Sequence, residues 1–320
     1  KPITHMVLGR RSLSSLARPV VTRLTYPARP PRGTQNGRVV TPAHWEKIGG
    51  IFPQEPWRGD SSTLHDEEDP RTLEVRDARQ AASPLTLRRS GFELRHWPSA
   101  VVDFYNDDLI RSQYYPETAE LVRAACGAED VFVFQHMRRD SSALNKESGG
   151  ARNAAEAKAH GAVQRVHADY TPENGPRKLR ELAEAGVVSE REIAHRRWSI
   201  VNVWRSIDAE QPVRAQPLAV LDASTVAAED TFTYALVMDE AEPPLVGFNN
   251  GVGFSERHAW YYYPHMRHEE ALLFYTYDGT APLEGPRFVF HTALGDTGGG
   301  GEAAAPPRRS IECRCLALFS

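Results

Sequence analysis

The chain of 320 residues is 41% hydrophobic and 25% charged, with a mean hydropathy of -0.49, which suits one large globular domain or two small ones. Its formal net charge of -4 gives no footing for a nucleic-acid binder, and no apolar run reaches the roughly 18–20 residues that span a bilayer, so neither nucleic acid nor membrane is an expected partner. Cys126, Cys313 and Cys315 are too few, and odd in number, for a disulfide framework; they point to a reducing compartment and a cytoplasmic location, with Cys313 and Cys315 as small apolar strand residues.

Arg10, Arg11, Arg18, Arg23, Arg29, Arg32 and Arg38 all precede the first acidic residue, Glu46. Such a basic, serine-containing leader fits an organellar targeting segment or an arm wrapped on the domain, and the extended-coil composition of "YPARPPRGTQNGR" favours the arm. Residues 1–74 are expected to be this arm and an irregular region, with residues 41–77 rich in Pro, Gly, Asp and Trp; residues 75–320 are expected to form one domain. "GFELRHWPS" (91–99) reads as a strand running into a helix, with Ser99 as cap and Val101, Val102, Phe104 and Tyr105 as its apolar face. "PETAELVRAACG" (116–127) is a clearer helix, with Pro in the first turn and Gly at the end, and "VFVFQHM" (131–137) follows as a strand. Residues 141–162 are polar and without period, a loop placed where a lid would close.

"VQRVHADYTPENGPRKLRELAEAG" (163–186) reads as a short strand, a tight turn and a helix from Pro176 to Gly186; "SERE" (189–192) is a capping box opening a short helix. Beyond Trp198 the chain turns to strands, at 198–205, 217–223, 231–238, 258–264, 271–278, 287–294 and 310–319, with Asn249-Asn250-Gly251 as a hairpin signal. Helices followed by many short strands predict an α+β domain, a β-sandwich or barrel core with helices outside.

Residues i and i+2 of a strand share a face, so His167 and Asp169 can hold one ion together or form a buried imidazole–carboxylate pair. A second histidine would complete the two-histidine, one-carboxylate set that binds non-haem Fe(II) and leaves open positions. His291, among the apolar residues of "FVFHTAL", is the best candidate; His258 and His265 are the alternatives. Further on, Arg308-x-Ser310 suits a dicarboxylate, the guanidinium gripping the far carboxylate and the hydroxyl adding a hydrogen bond. Arg314, on the same strand as Glu312, is a second site-facing cation. The order His-x-Asp, His, Arg-x-Ser is what a 2-oxoglutarate-dependent oxygenase needs. Candidates for substrate contact are Asn202 and Arg205, of which Arg205 faces the other way unless the strand bulges, together with His136, Arg138 and Arg139 at the end of their strand, Tyr170, Trp260 and Tyr275.

Several segments together are similar to a fungal and bacterial oxidoreductase family of gibberellin GA4-desaturase-like, aspergillic-acid hydroxylase-like and cephamycin 7α-methoxylase small-subunit-like proteins. They are "VRDAR" (75–79), "DFYNDDLIRSQYYPE" (103–117), "VFVFQHMRR" (131–139), "VHADYTPENGPRKLREL" (166–182), "IVNVWRSI" (200–207), "PLAVLDA" (217–223), "HAWYYYPHM" (258–266), "FHTAL" (290–294) and "PPRRSIECRCLALF" (306–319). The resemblance implies a double-stranded β-helix core of jelly-roll or cupin type, carrying Fe(II) on His167, Asp169 and His291. It implies 2-oxoglutarate as co-substrate, O2, and a small specialised-metabolism substrate whose C–H bond is hydroxylated, desaturated or closed into a ring. An accessory subunit or homo-oligomer is compatible with it and not indicated. The chain departs from the family at Ala168, where "HNDYT" is expected, at Tyr275, where relatives often place lysine, and in a glycine-rich insert at 297–305. Two other readings remain: a zinc-dependent hydrolase or lyase, and a non-catalytic accessory β-barrel.

Overall fold

The computed structural model describes residues 19–31, 34–42, 45, 55–140, 162–279, 288–295 and 305–320. The arginine-rich leader up to residue 18, the loop read as a lid up to residue 161 and most of the glycine-rich insert lie outside them. Among the described residues the strands form three five-stranded sheets, and no helix is long and apolar enough to cross a membrane.

The first sheet is antiparallel throughout, in the order β6 (Phe92–His96), β13 (Glu270–Asp278), β8 (Arg197–Ser206), β15 (Arg309–Phe319) and β7 (Asp130–Asp140). Its two faces differ as a period of two requires. Val201, Val203, Leu273, Ile311, Cys313 and Cys315 pack on the outer face under helix α1 (Tyr115–Cys126). Their neighbours Asn202, Trp204, Thr276, Glu312 and Arg314 turn inward and are buried there. Helix α1 presents Thr118, Leu121 and Val122 to the sheet at helical spacing, and burying Leu121 and Val122 stabilises the contact by about 1.5–3 kcal/mol each. Gly127 ends it with φ +73°, a conformation that favours glycine.

Helix entry differs from the sequence expectation. Ser99 caps no helix: its hydroxyl donates to Glu117 at 2.5 Å and accepts from the Val101 N–H at 3.2 Å, and Val102 is exposed. The helical turns begin at Asp107, after Asn106, whose side chain accepts from the backbone N–H of Asp108 and Leu109. Asparagine there, followed by two aspartates in the first turn, satisfies orphan donors and the helix dipole together.

The second sheet runs β1 (Val20–Pro27), β5 (Glu68–Asp77), β12 (Trp260–Tyr262), β9 (Leu218–Leu221) and β14 (His291–Ala293). The third runs β3 (Glu55–Pro56), β11 (Leu245–Val252), β10 (Thr231–Met238), β2 (Gln35–Val39) and β4 (Leu64–His65). The region read as irregular over 41–77 thus contains a ten-residue strand, β5, paired with β1 along eight residues. Its polar sequence "EDPRTLEVRD" concealed it, because most of its side chains face solvent while Val75 is buried among Leu24, Tyr26 and Trp260.

Asn249-Asn250-Gly251 is no turn either. The three residues continue β11, in register with Tyr234, Thr233 and Phe232 of β10. Gly251 is required there by contact: a Cβ on it would stand 2.5 Å from the Phe232 ring.

Helix α2 (Asn174–Glu184) and a capped turn at Glu190–Ile193 follow the His-x-Asp segment, and Leu179 and Leu182 pack on Leu316 and Leu318 of β15. The main core lies between the inner face of the first sheet and the second sheet, where Trp204, Leu272 and Phe274 meet Leu218, Val220 and Val289. The His-x-Asp segment joins the other two sheets: Thr25 bridges Arg165, His167 bridges His291, and Ala168 bridges Asn250 of the third sheet.

Candidate metal centre

His167 and His291 face each other across a two-way backbone bridge, the amide of each donating to the carbonyl of the other at 3.2 and 2.9 Å. Each imidazole folds back on its own strand. Nδ1 of His167 donates to the Arg165 carbonyl at 2.8 Å, and Nδ1 of His291 donates to the Val289 carbonyl at 3.1 Å. A carbonyl only accepts, so each Nδ1 carries the proton and each Nε2 keeps its lone pair. The rings stand 4.5 Å apart between centroids, and Phe274 packs on His291 at 5.0 Å. Asp169, two residues on from His167, brings Oδ1 to 3.8 Å from His167 Nε2. One donor atom from each of His167, Asp169 and His291 lies within 4.8 Å of the others, which is the spacing a single ion needs.

The other carboxylate oxygen is committed. Oδ2 of Asp169 accepts from Arg314 Nη2 at 2.9 Å and from Asn202 Nδ2 at 3.1 Å. The Thr276 hydroxyl, 3.3 Å from Asn202 Oδ1, fixes which end of that amide faces Asp169. Arg314 is itself held by Gln135 and Glu312, each at 3.3 Å. Only Oδ1 is left to ligate.

Charge follows from this packing. Burial works against the Asp169 charge, but Arg314 and the imidazoles outweigh it and hold the carboxyl far below the usual range. Burial, helped by His291, brings His167 down to about 4, and burial lowers His291 too. Both imidazoles are therefore neutral at neutral pH, the state in which an imidazole can ligate a metal.

Two cavities meet at His167 and Asp169. The smaller, about 350 Å³ with its open mouth, is lined by His291, Trp204, Leu218, Arg308 and Glu312. Burial pulls Arg308 down to about 9, so it remains charged at neutral pH; its Nη1 donates to the Gln216 carbonyl at 2.8 Å, and its guanidinium lies 5.8 Å from the Trp204 ring centre. Ser310, two residues on, is buried with its hydroxyl unpartnered among the described residues. The larger cavity, about 560 Å³, is walled by Pro27, Val166, Tyr234, Leu236, Arg38 and Arg165. Arg139 lines both.

The remaining sequence candidates fall elsewhere. Arg314 faces the site but clamps Asp169, and Asn202 does likewise. His136 turns to Tyr115 (2.9 Å) and Arg138 to Asp107 (2.6 Å), both on the helix side of β7. The inward residue of that strand end is Arg139, opposite Ser310. Tyr170 is buried with Ile200 and Tyr277, Tyr275 packs in the core under α1, and Trp260 donates to Tyr26 at 2.7 Å; none lines either cavity. Ala168 is a core residue rather than a wall of the site. His258 sits with Asp230 and Tyr26, and His265 is exposed, so neither stands at the centre.

Arg205 points to the outer face. Its three nitrogens donate to the Tyr114 hydroxyl (3.1 Å), the His268 carbonyl (3.1 Å) and the Trp97 carbonyl (2.7 Å). Arg205→Leu is expected to lower stability by about 3 kcal/mol or more, because it leaves those buried acceptors unpaired. A denaturant titration measures this, and iron affinity should not change in step.

Glu312 is the site residue that sequence reasoning passed over as a contact, and of the strand-end candidates His136, Arg138 and Arg139 only Arg139 lines the cavities. The signal was the R-x-S-x-E-x-R alternation from Arg308 to Arg314, polar at each inward position there while the outward Ile311 and Cys313 are apolar.

The family described as "Oxidoreductase/YMDC permease-like domain" matches residues 50–318. "Alpha-ketoglutarate-dependent dioxygenase phiK" (Fungal sp. strain ATCC 74256) is 30% identical over 251 residues, covering 78% of this chain and 85% of the relative. "Hydroxylase/desaturase efuI" of Hormonema carpetanum is 28% identical over 256 residues, covering 77% and 82%. A solved structure of the "iron and alpha-ketoglutarate-dependent endoperoxidase NvfI" superposes with a TM-score of 0.70 at 23% identity, over 95% of this chain and 99% of that one, and so shares its fold. The chain belongs to the family of fungal hydroxylase/desaturase-type oxidoreductases in which these iron- and 2-oxoglutarate-dependent dioxygenases stand.

Proposed function

We propose that this chain is an Fe(II)- and 2-oxoglutarate-dependent dioxygenase acting on a C–H bond of a small specialised-metabolism substrate, with its sheets curled as a double-stranded β-helix. The observation that carries the reading is the donor set: two neutral imidazoles with Nε2 directed inward and one carboxylate oxygen left over from a fully bonded partner. Bound there, Fe(II) with 2-oxoglutarate and O2 supplies the oxidising power that breaks the C–H bond.

The chain's own residues position and exclude. His167, Asp169 and His291 would hold the metal on one side only, leaving its other side open toward both cavities. Arg308 and Ser310 would take the far carboxylate of the co-substrate in the smaller cavity, with Trp204 and Leu218 keeping water from its chain. Substrate would enter the larger cavity, past His167 and Asp169. Hydroxylation, desaturation and ring closure all fit this arrangement.

Succinate release from 2-oxoglutarate, dependent on added Fe(II), tests the reading; its absence with iron bound would overturn it. Arg308→Met is expected to raise the 2-oxoglutarate KM about 10- to 100-fold, the loss of a charge-assisted pair, and to leave iron affinity unchanged. Steady-state kinetics beside a chelator competition separates the two.

A further inference from the structure

The segment "GFNNG" (247–251), a stretch of β11 rather than a turn, lays a bare face on the larger cavity. Residues directly opposed in a sheet share a face. Tyr234 opposes Asn249, and Leu236 opposes both Gly247 on one side and Arg38 on the other. Arg38, Tyr234, Leu236, Asn249 and Gly251 all line the cavity. On that face β11 reads Gly247-x-Asn249-x-Gly251, a single amide side chain between two positions that have none.

The same face carries two of the candidate metal ligands. Ala168 and Asn250 exchange both backbone hydrogen bonds at 2.9 Å. In an antiparallel pair, the residues next to such an exchange oppose each other at about 4.5 Å between Cα atoms, with their side chains on the other face. Asp169 therefore stands opposite Asn249, and His167 opposite Gly251. Gly251 leaves His167 open to the cavity, and Asn249 is set beside Asp169 without bonding to it: Asp169 Oδ2 is taken by Arg314 and Asn202.

Asn249 is only 8% exposed, and its Oδ1 is buried with no partner among the described residues. It is the one buried acceptor left open among the described lining residues. The Tyr234 hydroxyl donates to Asp66, Arg165 meets Asp66 at 2.8 Å, and Arg38 and Arg139 have partners of their own. Asn250 Nδ2 is unpartnered as well, but strand alternation turns it to the opposite face. A buried acceptor without a donor lowers stability, and folded chains keep few of them. Pro27, Val163, Val166 and Leu236 make the wall around it apolar.

We propose that Asn249 receives the substrate, an apolar molecule whose hydroxyl or N–H donates to Oδ1, and so fixes which C–H bond faces the metal centre. This rests on reading the larger cavity as the substrate chamber of the proposed dioxygenase. Asn249 binds and orients; it takes no part in holding iron or co-substrate.

The test uses the whole protein, anaerobic and saturated with Fe(II) and 2-oxoglutarate. Borneol, 1-adamantanol and 2-naphthol and their methyl ethers are titrated in by calorimetry. At least one alcohol is expected to bind about 10-fold or more tighter than its ether, because the ether leaves Oδ1 bare, and Asn249→Leu is expected to abolish that preference. Without any probe, Asn249→Leu should raise the midpoint of thermal unfolding, since it removes the bare acceptor; an amide kept for structure would lower it. Ethers that match their alcohols, alcohols that fail to bind below about 1 mM, a preference that survives in Asn249→Leu, or a lowered midpoint would each overturn the proposal. The visible absorption of the chelated keto acid in the same samples keeps the questions apart: its absence strikes the iron reading, whereas its presence without alcohol preference strikes only this proposal.

Discussion

Replacing His167 with alanine is expected to weaken Fe(II) binding by more than about 100-fold and to end 2-oxoglutarate turnover. Loss of a residue that merely supports a ligand commonly costs 10- to 100-fold in metal affinity or activity, and His167 is itself one of three candidate donors. Among the described residues no neighbour can replace it. Asp169 Oδ2 is bonded to Arg314 and Asn202, and His258 lies with Asp230. His291→Ala should behave alike, since the two rings have the same Nδ1 tether and the same inward Nε2. Chelator competition and succinate release check both variants. A zinc hydrolase would bind metal through these residues without consuming 2-oxoglutarate, and an accessory protein would keep its function in either variant. Turnover retained in His167→Ala would contradict the present account.

Arg314→Gln is expected to weaken iron binding about 10- to 100-fold and to lower stability by about 3–5 kcal/mol. Two effects act together. The substitution leaves Asp169 and Glu312 as buried carboxylates facing no guanidinium at this position, and it frees Asp169 to turn and offer the wrong oxygen. Arg314→Lys should recover only part of either loss, because an ammonium is a point donor and cannot reach Asp169, Glu312 and Gln135 from one rigid plane. Asn202→Ala should show the smaller form of the same defect. Affinity measured by chelator competition and stability by denaturant titration must both move; a fall in stability alone would make Arg314 a structural residue only.

Strand periodicity is what made much of the site legible. His167 and Asp169 at i and i+2, the buried setting of His291, and the polar alternation beginning at Arg308 are local patterns, and each lies in a segment whose strand character is strong. The outward aim of Arg205 was legible for the same reason. What failed depended on partners far along the chain. Nothing near Arg314 says that its guanidinium will meet Asp169, 145 residues away. Likewise β5 has the composition of a loop and becomes a strand because β1 and β12 flank it. Asn249-Asn250-Gly251 carries a strong turn signature that the ladder with β10 overrides, and Ser99 lost its cap role to Asn106, which is followed by two aspartates in the first turn.

The central claim is that His167, Asp169 and His291 form an iron centre that accepts a keto acid. An anaerobic Fe(II) titration in the presence of 2-oxoglutarate tests it most directly. The account predicts a weak visible charge-transfer band that saturates at one iron per chain and is absent in His167→Ala. Iron bound with no band would contradict the co-substrate assignment, and no iron binding at all would reduce His167 and Asp169 to a buried structural pair.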